Sequence, residues 1–174
     1  MILETFYPDA VMDSAYDIEY ERLYGEGYRG IIFDIDNTLV PHGAPADDRA
    51  IALFERLKSI GYKAVLLSNN KEPRVKMFND AVKVSYIYKA GKPGRSGYQK
   101  AMEMMGTTAE NTFFVGDQLF TDVWGAKRVG MKNFLTKPIH PKEEIQIVLK
   151  RYLEKIVLFF YYRSIRKTQE AGKE

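Results

Sequence analysis

Short apolar segments alternate with amphipathic segments through the middle of this 174-residue chain. The apolar segments have the length of β-strands, and the segments between them carry apolar residues at helical spacing. Strands that alternate with helices in this way imply right-handed βαβ crossovers and a parallel sheet. The sequence therefore predicts a doubly wound, Rossmann-like α/β fold with three α/β/α layers. The predicted strands are 30–34, 63–68, 84–88, 112–117 and 132–136.

Four helices are predicted between these strands, at 49–60, 74–82, 97–105 and 119–129. Glycine follows the first, third and fourth of them, which is typical of a helix C-terminus. A further amphipathic helix is expected at about 142–166, followed by a flexible polar tail at 167–174. The length suits one domain, 1–174, with a core at about 28–140.

The composition excludes several classes of protein. The chain has no cysteine, which rules out disulfides and thiolate metal sites, and it has only two histidines, which rules out a multi-histidine zinc site. No apolar stretch reaches the roughly 18 residues of a membrane span, and no signal peptide is expected at the N-terminus. A cytoplasmic protein, or one peripheral to a membrane, is the resulting expectation.

Three of the predicted strands end on a polar residue: Asp34, Ser68 and Asp117. The carboxyl ends of parallel strands are where ligands bind in such folds. Asp36 lies two residues after Asp34, and two carboxylates that close repel each other unless a group such as a divalent cation compensates them. Plain turn chemistry is the alternative, because Asp and Asn favour turns and Thr38 follows at once.

Three segments have both a functional and a plain structural interpretation. Ser68 and Asn69 could bind a ligand or cap a helix, and Asp117 and Asp122 could do either as well. Lys92 lies in a Gly/Pro loop, where a solvated lysine is common. Nearby residues that are candidate substrate contacts, or simply solvated, are His42, Lys71, Arg74 and Arg95.

Together and in this order, the motifs DIDNT at 34–38, SNN at 68–70, Lys92 and GDQLFTD at 116–122 resemble the haloacid dehalogenase (HAD) superfamily. The resemblance covers roughly 30–136. It implies a phosphatase in which Asp34 is the nucleophile and Asp36 the general acid and base. It further implies a Mg²⁺ ion held by the Asp34 carboxylate, the Asp36 carbonyl and Asp117.

The same resemblance assigns roles to the remaining motif residues. Ser68 would donate a hydrogen bond to the phosphoryl group, and Lys92 would pair with Asp34 and a phosphate oxygen. Thr38 and Asn69 are expected to support the motif loops, and Asp122 to brace Lys92 or a metal-bound water.

The gaps on either side of Ser68 are too short for the cap domain of many superfamily members. The motifs thus resemble the capless subclass IIIA and, within it, the YqeG-type branch related to phosphatidylglycerophosphate phosphatases. The segments FYPD at 6–9 and WGAKR at 124–128 also fit that branch. The resemblance implies a phosphorylated substrate, for which a lipid headgroup and a soluble sugar or nucleotide phosphate are alternatives.

The C-terminal region is basic and amphipathic. From Lys127 onward, 12 Lys or Arg stand against 5 Asp or Glu, whereas the preceding residues have a net charge of −4. Such a helix can lie in a membrane interface, pack on the domain with Leu158 and Phe159 in the core, or form a homo-oligomer. The alternative to a phosphatase is a non-catalytic scaffold that binds phosphate or RNA. DNA is not an expected partner. One helical face is predicted to carry Ile145, Val148, Leu149, Tyr152, Leu153, Ile156 and Phe160.

Overall fold

The computed structural model describes residues 2–140 and 145–171. Its centre is a six-stranded sheet in the order β1-β6-β5-β2-β3-β4, in which every neighbouring pair is parallel. This arrangement confirms the predicted α/β fold. The strands are β1 Ala10–Met12, β2 Gly30–Phe33, β3 Lys63–Leu67, β4 Ser85–Ile87, β5 Thr112–Gly116 and β6 Lys132–Thr136.

Helices cover both faces of this sheet. Side chains of α1, α2 and α3 pack with Ile31 and Phe33 on one face, and those of α4 and α5 pack with Ile32 on the other. Successive residues of β2 thus point to opposite faces, and all four are buried, as expected of a central parallel strand. The helices are α1 Tyr20–Gly25, α2 Asp48–Ile60, α3 Glu72–Val82, α4 Arg95–Met105, α5 Trp124–Arg128 and α6 Ile145–Ala171.

Local sequence signals explain the ends of α2. The Asp47 carboxylate accepts a hydrogen bond from the backbone N–H of Ala50 at 2.8 Å, which caps the first turn. Gly61 ends the helix with φ of 112°, a left-handed conformation that glycine adopts without strain.

Strand β1 and helix α1, which precede β2 in the chain, were not predicted. The edge strand β1 has only three residues, too few for a periodic pattern, and it is fixed to β6 by side-chain bonds. The Asp9 carboxylate accepts hydrogen bonds from the backbone and the side chain of Asn133, at 2.9 and 2.7 Å. Helix α1 is also absent from the prediction, and its Leu23 lies in the core.

The predicted helix 119–129 is wrong in its first half. A π-helical turn, Leu119–Val123, precedes the short α5. Within the turn, the backbone N–H of Val123 donates to the carbonyl of Gln118 at 3.2 Å. The Asp122 carboxylate bends back to accept from the backbone N–H of Gln118 at 3.1 Å. The turn therefore directs Asp122 towards the strand end at Gly116.

Helix α6 departs from its prediction in extent and in orientation. It continues to Ala171, so that 167–171 are helical rather than part of a flexible tail; 172–174 lie outside the described residues. Among the α6 side chains that the structure describes, Glu154 and Val157 are buried and Leu158 is half-buried. Phe159, which one alternative placed in the core with Leu158, is 61% exposed. Among the helices of 2–140 and 145–171, none is long and apolar enough to cross a bilayer.

Candidate active site

Asp34, Ser68 and Asp117 come directly after β2, β3 and β5, which are neighbours in the sheet. Their side chains therefore meet at the carboxyl edge, and all three are buried. A pocket of about 190 Å³ opens there, and Asp34, Asp36, Ser68, Asn69 and Lys92 line it. The topology thus brings together residues that are far apart in the sequence.

Lys92 lies between two carboxylates. Its Nζ is 2.7 Å from Asp34 Oδ1 and 2.7 Å from Asp122 Oδ1. Burial alone would lower the pKa of Lys92, but the two carboxylates outweigh it and hold that pKa above its usual value. Asn69 fixes the backbone of Lys92 through paired hydrogen bonds of 2.8 and 3.0 Å. Lys92 is therefore a preformed, permanent cation beside Asp34.

The loop after β2 places Asp34 next to Asp117. Asn37 turns the chain with φ of 60°, a conformation that Asn tolerates, so part of the turn chemistry expected for this motif is real. The Thr38 hydroxyl donates to Asp117 Oδ1 at 3.1 Å and lies 3.5 Å from Asp34 Oδ2. Thr38 thereby joins the two carboxylates.

The carboxyl groups of Asp34 and Asp117 both have raised pKa values. Burial raises the pKa of Asp34 to about 6, against the opposing effect of Lys92. Burial and the Asp34 charge raise the pKa of Asp117 well above its usual value, although Arg151 opposes this. Removal from water is the main cause of both shifts, so a bound cation would favour the ionised forms of these carboxylates.

This donor set fits a divalent cation. Asp34, Asp117 and Asp122 are buried and can each present a carboxylate oxygen within 4.8 Å of the others. With Glu154, which also pairs with Arg151, four buried acids face the two cations Lys92 and Arg151, so the acids outnumber the cations. Oxygen-only donors suit Mg²⁺. Asp34 is the most available of the three, because its Oδ2 has only a 3.5 Å contact with Thr38, whereas both oxygens of Asp117 and of Asp122 have closer partners.

Gly116 makes this arrangement sterically feasible. A Cβ at Gly116 would lie 2.4 Å from an oxygen of Asp122, closer than any real contact. The glycine before Asp117 therefore leaves room for the Asp122 side chain that the π-helical turn folds back.

Asp36 faces the pocket from a separate network. Its Oδ1 accepts hydrogen bonds from Gly43 N at 2.7 Å and from the Arg74 guanidinium at 2.9 and 3.1 Å. Its Oδ2 accepts from Asn70 Nδ2 at 2.7 Å. Arg74 was expected as a substrate contact or a solvated residue, but it forms a half-buried ion pair with Asp36.

The remaining predicted residues divide into two groups. Ser68 is buried in the pocket, where its hydroxyl accepts from the backbone N–H of Asn70 at 3.1 Å. His42 lines the same pocket, within 3.7 Å of Asp36. Lys71 and Arg95 are exposed and do not line it.

Helix α6 contributes residues that the sequence did not predict for the site. Arg151 forms an ion pair with the Asp117 carboxylate and also donates to the Asp117 carbonyl. Glu154 accepts from Arg151 at 3.0 Å and from the backbone N–H of Leu119 at 2.8 Å. Lys150 lines the pocket. Helical periodicity gives no signal for such long-range polar contacts.

A parallel α/β sheet with acids and a buried lysine at its carboxyl edge defines a hydrolase of the HAD type. The model of the haloacid dehalogenase-like hydrolase family matches residues 44–130, and the chain belongs to that family. It is 36% identical to the "Probable phosphatase YqeG" of Bacillus subtilis over 91% of this chain and 92% of the relative. The chain is therefore a HAD phosphatase, a hydrolase that acts on phosphoric monoesters.

More distant relatives differ in length and in fold detail. The Arabidopsis thaliana protein "Phosphatidylglycerophosphate phosphatase 1" is 27% identical over 91% of this chain, which spans only 47% of that protein. A Listeria monocytogenes structure of 14% identity has a TM-score of 0.52 and covers 67% of this chain and 86% of its own. YfnB of Bacillus subtilis, a HAD hydrolase by its description, is 13% identical with a TM-score of 0.51. The match covers 68% of this chain and 91% of YfnB. These structural matches show the shared fold.

Proposed function

We propose that this phosphatase is Mg²⁺-dependent and acts through an aspartyl-phosphate on Asp34. The observation that carries the proposal is the contact of Asp34 with Lys92 in a pocket that Ser68 also lines. An oxygen of Asp34 attacks phosphorus and the ester P–O bond breaks, while Lys92 and the Ser68 hydroxyl stabilise the phosphoryl oxygens. Phosphoryl transfer depends mainly on such positioning and charge neutralisation.

Asp36 is the proposed proton carrier. It lines the pocket beside Asp34, and its carboxyl is oriented by Asn70 and Arg74. In the first step it gives a proton to the leaving alkoxide. In the second it takes a proton from the water that attacks phosphorus, which releases inorganic phosphate and restores Asp34.

The Asp34 and Asp117 carboxylates and the backbone carbonyl of Asp36 would hold Mg²⁺. When bound, the ion supplies positive charge that offsets the carboxylates and the phosphoryl group. The buried carboxylates of Asp34 and Asp117, which can each present an oxygen within 4.8 Å of the other, support this assignment.

Removal of divalent cations should abolish the activity reversibly. We expect hydrolysis of p-nitrophenyl phosphate to fall to background in excess chelator, because Asp34 and Asp117 would then lack their counter-charge, and to return with excess Mg²⁺. Full activity in chelator would contradict the cation dependence. Ca²⁺ should restore less activity than Mg²⁺, because it is larger and prefers more ligands.

We further propose that the substrate phosphate belongs to a lipid headgroup. The name of the Arabidopsis relative, a phosphatidylglycerophosphate phosphatase, supports a lipid phosphate. The outward face of α6 supports it independently: large apolar side chains there are exposed, and basic residues accompany them. The apolar residues of this outward face are Leu149, Tyr152, Leu153, Ile156, Phe159 and Phe160.

The outward face is suited to an anionic membrane surface. Lys155, Arg163 and Arg166 are exposed on the same helix, and basic helices of this kind bind anionic lipid interfaces. Lys150 extends from α6 to the pocket, so a membrane under α6 would lie near the site. The proposed localisation is peripheral at a membrane.

Serine at Phe159 and Phe160 should weaken binding to anionic vesicles. We expect loss on the order of tenfold or more in a vesicle co-sedimentation assay, since each ring contributes burial of apolar area. A matched control is serine at Met77 and Met104, which are exposed on α3 and α4. Unchanged vesicle binding by a folded Phe159/Phe160 variant would contradict the proposal. A change in the oligomeric state of the variant would instead indicate a self-association surface.

A further inference from the structure

Helix α6 is joined to the active site by charged side chains. Arg151 contacts both the carboxylate and the backbone carbonyl of Asp117. Glu154 holds Arg151 from the next turn and also accepts from Leu119 N. The Arg151 side chain is 15% exposed, that of Asp117 is 1% exposed and that of Glu154 is 7% exposed. The contact is therefore largely removed from water.

A buried ion network of this kind is weak evidence for a role in stability. The cost of removing charges from water offsets much of their attraction, and apolar residues of similar size often stabilise a protein equally well. The outward face, whose apolar residues could have packed here, is exposed. Val157 and Leu158 of α6 already pack with Leu119 and Leu135 beside this network, so apolar burial docks the helix and leaves a separate role for the Arg151–Asp117 contact.

Arg151 approaches Asp117 from the side away from the catalytic pocket. Asp34 and Lys92 line the 190 Å³ pocket, and Arg151 does not. Arg151 and Asp117 both line a second cavity, of about 250 Å³, between the end of β6 and α6. The two oxygens of Asp117 are thus held by different partners, Oδ1 by Thr38 and Oδ2 by Arg151.

We propose that Arg151 is a positioning residue: its guanidinium fixes the plane of the Asp117 carboxylate for the divalent cation, so that cation affinity depends on docked α6. The inference rests on the proposed function, which makes Asp117 a Mg²⁺ ligand. Groups behind a metal ligand orient it, and their loss typically lowers metal affinity about 10- to 100-fold. A planar fork that contacts two oxygens of one residue restricts its rotation in a way that an ammonium group cannot.

Substitution of Arg151 separates orientation from charge. Loss of a positive charge beside Asp117 would by itself strengthen cation binding, whereas loss of orientation would weaken it. We expect weaker Mg²⁺ binding by about 10-fold or more in Arg151→Met, and also weaker binding in Arg151→Lys, which keeps the charge. The readout is calorimetric titration of the full-length protein with Mg²⁺ and no substrate.

Matched variants and outcomes make the test decisive. Arg22→Met removes an exposed arginine of α1 and should leave Mg²⁺ affinity unchanged. If Arg151→Met fails to fold by circular dichroism, Arg151→Lys and Glu154→Gln, which loosens Arg151, decide the question. Unchanged or tighter binding in the folded variants overturns the positioning role alone. Absence of Mg²⁺ binding by the wild-type protein overturns the cation dependence itself, and the inference with it.

Discussion

Asparagine at Asp34 is expected to reduce phosphatase activity by about 10³-fold or more, a loss typical of removing a catalytic nucleophile. The amide keeps the shape of the carboxylate but cannot attack phosphorus to form the acyl phosphate. Folding should survive, because Lys92 retains its ion pair with Asp122. The measurement is hydrolysis of p-nitrophenyl phosphate with saturating Mg²⁺, beside a thermal melt.

Two controls restrict the interpretation of that loss. Asp80→Asn changes an exposed acid of α3 and should leave the activity intact. Rapid acid quench with a phosphorus-labelled substrate should trap label on the wild-type protein and not on Asp34→Asn. Activity equal to wild type in Asp34→Asn would exclude Asp34 as the nucleophile.

The sheet and the residues at its edge were predictable because their signals are local. Buried strands such as β2 are continuous apolar runs, and a polar residue ends each strand beside the site. Parallel topology then determines that Asp34, Ser68 and Asp117 meet, although the first and the last lie 83 positions apart in the chain. No side-chain detail was needed for that inference.

Strand β1 could not be predicted in this way. Its residues Ala10–Met12 are too few for a periodic pattern, and its position depends on Asp9 meeting Asn133, which is distant in the sequence. The π-helical turn has a similar origin. Apolar spacing suggested an ordinary helix at 119–129. The Asp122 carboxylate, however, accepts hydrogen bonds from Lys92 Nζ and Gln118 N, and these bonds favour a wider turn.

The orientation of α6 shows a different limit. Periodicity correctly groups Leu149, Tyr152 and Ile156 on one face, but it contains no information about what that face meets. The face that docks carries Arg151 and Glu154, whose partners are Asp117 and the backbone N–H of Leu119, together with Val157, which packs in the core. The face with Leu149, Tyr152 and Ile156 remains outward, where the sequence alone left domain packing as an alternative.

Methionine at Lys92 is expected to destabilise the protein by about 3–5 kcal/mol, the usual range for loss of one partner from a buried ion pair. Lys92 is the cation between Asp34 and Asp122, and its side chain is 3% exposed. Methionine fills similar volume but leaves two buried carboxylates without it. Urea unfolding in chelator measures the change, and Lys100→Met, at an exposed position of α4, should stay within about 0.5 kcal/mol of wild type.

A second substitution tests whether charge, rather than packing, causes this loss. When Lys92→Met is combined with Asp122→Asn, one buried negative charge is gone, and the carbonyl oxygen of the introduced amide can still accept from Gln118 N. The double variant should therefore be more stable than Lys92→Met alone, even though Asp122→Asn by itself destabilises the protein. If the decreases in unfolding free energy of the two single variants simply add in the double variant, Lys92 and Asp122 act independently. That result would contradict the proposal that the charge of Lys92 allows Asp34 and Asp122 to lie together in the site.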